Sequence, residues 1–148
     1  TNDAAGALAR LLHFGIEPFL VASSTVGVIA QRLVRRLCQS CKASYKPSDE
    51  EILTCGLQPS EDITFYKPRG CKSCRNTGYR GRTGLYEVLK VDDAMRNLIL
   101  KHASVSEIRD HARRNQSMEL LREAGIKKVV QGITTLDEVN RLTFVEEI

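Results

Sequence analysis

Two segments of the same pattern, Cys38-Gln39-Ser40-Cys41 and Cys71-Lys72-Ser73-Cys74, decide how this sequence folds. They are 29 residues apart, which is longer than the roughly 15–20 residues of the commonest zinc-ribbon pattern. A two-residue spacer lets one turn present two thiolates to one ion, and two such turns complete a tetrahedral zinc site with bonds of about 2.3 Å. The pattern therefore predicts a closed structural zinc centre with four ligands: Cys38, Cys41, Cys71 and Cys74.

Paired cysteines have two other common uses. Disulfides are less favoured, because five cysteines is an odd number and the sequence shows no secretory signal. A redox C-x-x-C is usually one pair near a βαβ unit, whereas here two pairs are flanked by glycines. The fifth cysteine, Cys55, lies beside Leu53 and Leu57 and is predicted to be a small core or surface thiol. Three scattered histidines are typical of packing or surface positions: His13, His102 and His111.

The composition limits the class of protein. A length of 148 residues fits one ordinary domain or two very small ones. The hydrophobic fraction of 42% excludes wholesale disorder, and the charged fraction of 27% is not that of a highly charged nucleic-acid tail. No segment approaches the roughly 20 apolar residues of a transmembrane helix. Because the chain opens without methionine, we expect an excised or processed piece, and its start is not typical of a signal peptide.

The net charge of +4 is concentrated in one part of the chain. Residues 32–90 carry twelve basic and six acidic groups, whereas residues 1–31 and 91–148 each carry a net charge of −1. The basic part also holds all five cysteines. Zinc with four thiolates has a net charge of −2, which nearby cations can offset: Arg35, Arg36, Lys42, Lys72 and Arg75. This distribution predicts three functional zones.

The first zone is predicted to be helical. Asp3 is a typical N-cap for a helix that ends at Gly15. A second helix is predicted from Pro18 to Leu37, with a bend or a new start at residues 23–25. On such a helix the spacing of three arginines would place them on one face: Arg32, Arg35 and Arg36.

The middle zone is predicted to be rich in loops, and the third zone to be helical. A capping-box pattern begins a short helix at Ser48, and strands are predicted at Ile63–Tyr66 and Leu85–Leu89, with a glycine-rich loop between them. Four short helices follow, and their joints predict a small bundle. The predicted N-caps are Asp92 or Asp93, Ser106, Ser117 and Thr135.

Several segments together resemble the C-terminal part of the secretion ATPase superfamily, and more narrowly the type II secretion and type IV pilus assembly ATPases. They are Thr1–Ala7, Gly15–Leu20, Gln31–Cys38, Thr77–Glu87 and Gly132–Val139. The resemblance implies a mixed α/β fold in four parts. Residues 1–37 would end a RecA-like ATPase domain, and residues 38–75 would form the tetracysteine metal-binding module. Residues 76–91 would be a Gly/Arg loop and a strand that returns to the ATPase core, and residues 92–148 a C-terminal helical region.

The resemblance also implies a function. Family members work as homo-hexameric rings at the cytoplasmic face of the bacterial inner membrane, where ATP hydrolysis drives pseudopilus or pilus assembly. The expected partners are neighbouring subunits and inner-membrane platform proteins, through which the ring is peripheral to the membrane; no nucleic acid is expected. The four cysteines would hold zinc. An arginine of the segment Tyr79–Gly84, either Arg82 or Arg80, would reach the nucleotide, unless both are solvated or pair with acids such as Glu87.

One departure from the family pattern limits these expectations. The sequence contains no G-x-x-x-x-G-K-[ST] loop to cradle phosphates and no acidic strand end to hold Mg²⁺. We therefore expect ATP and Mg²⁺ only in the full-length protein, and no ATP hydrolysis by this fragment alone. Gly6-Ala7, Val26–Val28 and Arg35-Arg36 favour the secretion branch.

Three other functions stay open at this stage. The type IV pilus branch is the nearest alternative, and a protein-interaction domain is another. A basic, zinc-ribbon-like module could also bind nucleic acid electrostatically, although an aromatic fraction of 5% leaves few rings to stack on bases.

Overall fold

A computed structural model describes residues 2–59 and 62–143 and has the mixed α/β class that the sequence predicts. Its helices are α1 (Ala4–His13), α2 (Pro18–Ser24), α3 (Asp49–Thr54), α4 (Asp93–Leu100), α5 (Val105–Gln116), α6 (Leu121–Val130) and α7 (Leu136–Leu142). Its strands are β1 (Gly27–Leu37), β2 (Ala43–Tyr45), β3 (Phe65–Lys67) and β4 (Tyr79–Lys90). Among the described residues, no helix combines the length and the apolar character needed to cross a membrane.

The chain divides into two compact units. The first comprises Thr1–Gln31 and Tyr86–Leu121, and the second comprises Arg32–Leu85 and Arg122–Ile148. Strands β1 and β4 pair with each other, and each contributes residues to both units. Helices α4 and α5 lie in the first unit, whereas α7 and nearly all of α6 lie in the second. The four C-terminal helices, predicted as one bundle, are thus shared between two cores.

The first unit packs α1 and α2 against α4 and α5. As predicted, Asp3 caps α1, and its carboxylate accepts a hydrogen bond from the Gly6 N–H at 2.7 Å. The buried Glu87 carboxylate of β4 accepts the N–H groups of Ala4 and Leu121, each at 3.1 Å. These are the first residues of α1 and α6, so one carboxylate satisfies two helix N-termini that have no intrahelical acceptor.

The segment after α2 is a strand, which corrects the predicted helix from Pro18 to Leu37. Helix α2 ends at Ser24, and β1 follows from Gly27. The start of β1 is rich in β-branched residues, which suit a strand, and the side chains along the strand alternate between more and less buried positions. Consecutive residues therefore face opposite sides, so Arg35 and Arg36 do not share a face.

The second unit has its own core around the buried Phe65 of β3, which meets the ring of Tyr45 edge-on with centroids 6.2 Å apart. Strands β2 and β3 are antiparallel, with Ser44 opposite Tyr66. Helices α3, α6 and α7 supply most of the other buried side chains of this core: Ile52, Ile126, Val129, Leu136 and Val139. The capping box at Ser48 forms as predicted and begins α3.

Two of the predicted C-terminal caps are wrong. Helix α5 is capped by Ser104 rather than Ser106, because the Ser104 hydroxyl accepts the Glu107 N–H. Ser117 ends α5 in a left-handed conformation with φ of 54° instead of beginning the next helix. The caps at Asp92 and Thr135 are confirmed, since both side chains accept the backbone N–H three residues on.

An ion pair between the exposed Arg35 and the buried Glu138 joins β1 to α7 within the second unit. The Glu138 carboxylate accepts the Arg35 backbone N–H at 2.9 Å, the Arg35 side chain at 2.7 and 3.0 Å, and Arg141 at 3.1 Å. The Arg35 guanidinium also lies 4.1 Å from the centre of the Tyr79 ring. Burial alone would raise the pKa of Glu138, but the bonds and charges of Arg35 and Arg141 outweigh it and lower that pKa below its ordinary value.

This ion pair predicts acid sensitivity. Because the folded pKa of Glu138 is lowered, its contribution to the free energy of unfolding is fully present above about pH 4.5 and is lost as the pH falls through the folded pKa. In urea unfolding between pH 7 and pH 3, the free energy of unfolding should fall less with decreasing pH in Glu138→Gln than in the wild type. The substitution should also cost about 2 kcal/mol at pH 7, through weakened bonds to charged partners. If the free energy of unfolding fell equally with pH in the variant and the wild type, Glu138 would not be the source of the acid sensitivity.

Gly125 of α6 predicts a packing effect. A Cβ at this position would lie 2.7 Å from Val139 Cγ1 and 3.2 Å from Leu85 Cδ1. Gly125→Ala gains about 1 kcal/mol of helix propensity, but overpacking costs about 1–3 kcal/mol, so we expect a lower melting temperature. In a Val139→Ala background the clash is relieved, and the same substitution should be neutral or stabilising. An increase in the melting temperature of the single variant would rule out a rigid contact.

Candidate metal centre

The four predicted cysteine ligands lie together in the second unit, at the ends of two strand pairs. The first knuckle, residues 38–41, lies between β1 and β2, and the second knuckle, residues 71–74, lies between β3 and β4. The Cys38 N–H donates to the Gly78 carbonyl at 2.9 Å, which continues the β1–β4 pairing to the first knuckle. On the other side, Ala43 pairs with Lys67. Each strand pair therefore joins one end of the first knuckle to one end of the second, so the two knuckles lie next to each other.

The sulfur positions fit a tetrahedral ion. All four Sγ atoms lie within 4.8 Å of one another. The Cys38–Cys71 and Cys41–Cys74 Sγ pairs are 3.8 Å apart, and the Cys71–Cys74 pair is 3.7 Å apart. A regular tetrahedron with zinc–sulfur bonds of about 2.3 Å has edges of about 3.8 Å. The donor set is thus suited to zinc, and no fifth side chain is needed to complete it.

Backbone N–H groups point at two of the sulfurs and, at Cys74, favour the thiolate form. Gly70 N–H donates to Cys41 Sγ at 3.3 Å, and the N–H groups of Cys71 and Gly78 donate to Cys74 Sγ, each at 3.2 Å. Burial alone would raise the pKa of Cys74, but these two N–H groups and the neighbouring sulfurs outweigh it and lower that pKa to about 6. Such donors are the outer contacts that orient metal ligands.

Gly78 is required by the geometry of the second knuckle. Its φ is +80°, and a Cβ there would lie 2.2 Å from Cβ of Pro68. No side chain fits this position, which carries both the N–H donor to Cys74 and the carbonyl that accepts from Cys38. The glycine spacing seen in the sequence is therefore partly a requirement of the metal site.

Arg80 and Arg82 lie beside this cluster, on β4 rather than on the predicted loop. With Arg36 they line a surface pocket of about 520 Å³, here called the arginine pocket. Its other lining residues are Leu37, Cys38, Gln39, Ser40, Ser73 and Gly81. Within residues 2–59 and 62–143, no carboxylate lines this pocket, and its lining combines three guanidinium groups with the thiol of Cys38.

Two details of the arginine pocket were not predicted. Glu87, a candidate partner for the arginines, instead bonds to Ala4 and Leu121 with its carboxylate. The predicted helix places Arg36 on the same face as Arg35, but in the strand Arg35 bonds to Glu138 while Arg36 lines the pocket. The adjacent β-branched residues Val28 and Ile29 at the start of β1 favour a strand, and this signal could have separated the two arginines.

The remaining cysteine does not join the cluster. Cys55 is the C-cap of α3 and packs partly buried against the core of the second unit. Burial raises the pKa of its thiol. This location agrees with the small packing role predicted from its leucine neighbours.

Together, these observations describe a mixed α/β chain in which four cysteine sulfurs, close enough to hold a metal ion, lie beside a cationic pocket. Comparison with known proteins identifies its family. A family model described as "Type II/IV secretion system protein" matches residues 1–141, so the chain belongs to this family.

Curated relatives come from both branches. The chain is 48% identical over 143 residues to "Type II secretion system protein E" of Pseudomonas aeruginosa. This match covers 97% of the chain and 28% of that protein. It is 47% identical over 141 residues to "Type IV pilus assembly ATPase PilB" of Thermus thermophilus, with 94% of this chain and 16% of that protein covered. The chain is 43% identical to "Type IV pilus assembly ATPase PilB" of Pseudomonas aeruginosa, and this match covers 97% of the chain and 25% of that protein. The chain therefore spans less than a third of the length of these relatives.

The metal centre predicts a contrast between two cysteine substitutions. Cys71→Ser removes one of the four ligands, so the purified chain should bind much less than one zinc per chain. Because structural zinc contributes directly to folding, we expect the second unit to lose its ordered structure. Cys55→Ser is the matched control and should keep its zinc and its circular dichroism spectrum. Full zinc occupancy and an unchanged melting curve in Cys71→Ser would contradict the structural role.

Proposed function

We propose that this chain is the C-terminal part of the ATPase that powers type II protein secretion by driving pseudopilus assembly. The observation that carries the proposal is its 48% identity, over 97% of the chain, to a protein named type II secretion system protein E. In this proposal residues 1–37 end a RecA-like ATPase domain and residues 92–148 are its C-terminal helical region. Residues 38–75 and 76–91 are the metal module and the segment that returns to the ATPase core.

In this proposal the chain has a structural and mechanical role. Cys38, Cys41, Cys71 and Cys74 hold a zinc ion that closes the two knuckles and supplies cross-linking rather than catalysis. The phosphate-binding loop and the Mg²⁺ ligands belong to the longer protein, so the chain alone does not hydrolyse ATP. Its partners are neighbouring subunits of a homo-hexamer and inner-membrane platform proteins, which hold the ring at the cytoplasmic face of the bacterial inner membrane.

The arginine pocket is the part of the chain that we propose to meet the nucleotide. Arg82, together with Arg80, would offer planar donors to phosphate oxygens. The absence of a described carboxylate from the pocket supports this role, since three clustered guanidinium groups favour an anionic occupant.

Type IV pilus assembly is the second candidate, supported by 47% identity to a protein named as a pilus assembly ATPase. Both branches have a relative in Pseudomonas aeruginosa, at 48% and 43% identity, which allows a matched test. The corresponding segment of each protein would be replaced by this chain, and secretion and piliation would be measured in the same strain. We expect the strain with the type II chimera to keep its secretion and the strain with the PilB chimera to form few pili. The reverse pattern would support the pilus function instead.

The nucleotide contact predicts a loss of function in the full-length ATPase. Arg82→Ala should weaken ATP binding or slow turnover by about tenfold or more, the size of one lost hydrogen bond to a charged group. Arg69→Ala, which removes an exposed arginine outside the pocket, is the charge-matched control and should leave both quantities within about twofold of the wild type. Equal kinetics for Arg82→Ala and Arg69→Ala would remove Arg82 from the nucleotide site.

A further inference from the structure

One hydrogen bond connects the metal centre to the arginine pocket. Arg80 Nη1 donates to Ser73 Oγ at 2.8 Å. Ser73 lies inside the second knuckle, directly before the ligand Cys74. The position of its hydroxyl is therefore set by a turn whose two ends are metal ligands.

The other two arginines of the pocket lack such an anchor. Among the described residues, Arg36 and Arg82 make no ion pair or side-chain hydrogen bond, and both are exposed. Gly81 separates Arg80 from Arg82, and a Cβ at Gly81 would lie 3.9 Å from Arg36 Cδ. Arg80 is thus the arginine of the pocket that has a described polar contact, and this contact comes from the metal knuckle.

We infer that Ser73 is a positioning residue that holds the Arg80 guanidinium in place for a polyphosphate group in the arginine pocket. This inference rests on the proposed nucleotide contact and assigns part of it to the metal module. A flexible arginine loses side-chain entropy when it binds a ligand, and a hydroxyl that orients it beforehand reduces that loss. Ser73 has an uncharged oxygen, so it orients Arg80 without neutralising the charge that attracts an anion.

Ser44 is an exposed serine of the same unit, on β2, and does not line the pocket. Ser44→Ala removes a hydroxyl without touching the arginines, so it is the matched control for Ser73→Ala. Because Ser73 is exposed, neither substitution should change zinc content or melting temperature.

The test measures the affinity of the zinc-loaded chain for inorganic tripolyphosphate by titration calorimetry at low salt. Ser73→Ala should weaken binding about two- to fivefold, because the lost bond is exposed to solvent and affects the affinity only by ordering the Arg80 side chain. Ser73→Thr, which keeps the hydroxyl, should restore the wild-type affinity, and Ser44→Ala should leave it unchanged. In an Arg80→Ala background, Ser73→Ala should have no further effect, because the group that it positions is gone.

The outcomes separate the inference from the proposal on which it depends. If the wild-type chain does not bind tripolyphosphate, the positioning role of Ser73 is overturned, while the nucleotide contact of the full-length ATPase is decided separately by Arg82→Ala. If the wild type binds and Arg82→Ala weakens binding, but Ser73→Ala binds equally well or more tightly, only the positioning role is overturned. An equal effect of Ser73→Ala with and without Arg80 would likewise overturn it.

Discussion

The second unit depends on the convergence of four cysteine sulfurs within 4.8 Å of one another. Four thiolates at this spacing would repel one another unless a cation lay between them, so we expect the cluster to form together with an ion. Strands β2 and β3 have only three residues each, too few to be stable as an isolated hairpin. A metal ion that joined the knuckles at the ends of both strand pairs would supply the cross-link that this small unit needs.

Each unit also contains one buried carboxylate that collects hydrogen-bond donors from distant parts of the chain. In the first unit Glu87 accepts the leading N–H groups of two helices, and in the second Glu138 accepts the backbone and side chain of Arg35. A buried carboxylate without donors would be strongly destabilising, whereas these two are well supplied with partners. The polar groups thus reinforce the positions of β1, β4 and the helices that pack on them.

The sequence predicts those parts of the structure that local interactions determine. The grouping of the cysteines follows from their spacing within each knuckle, and the caps at Asp3, Ser48, Asp92 and Thr135 follow from side chains that reach their own backbone. Strand β1 and the first half of β4 were missed because each is stabilised by the other across about 50 residues of sequence, which no local pattern records. The arginine pocket was only half predicted for the same reason, since Arg36 joins Arg80 and Arg82 through that pairing.

The central claim is that these four sulfurs bind one metal ion and thereby organise the second unit. X-ray absorption at the zinc edge on the purified, reduced chain tests it most directly, because it reports the type, number and distance of the ligand atoms. The account predicts four sulfur neighbours at about 2.3 Å and no nitrogen or oxygen ligand. A spectrum with fewer than four sulfurs, or with nitrogen or oxygen in the first coordination shell, would contradict it.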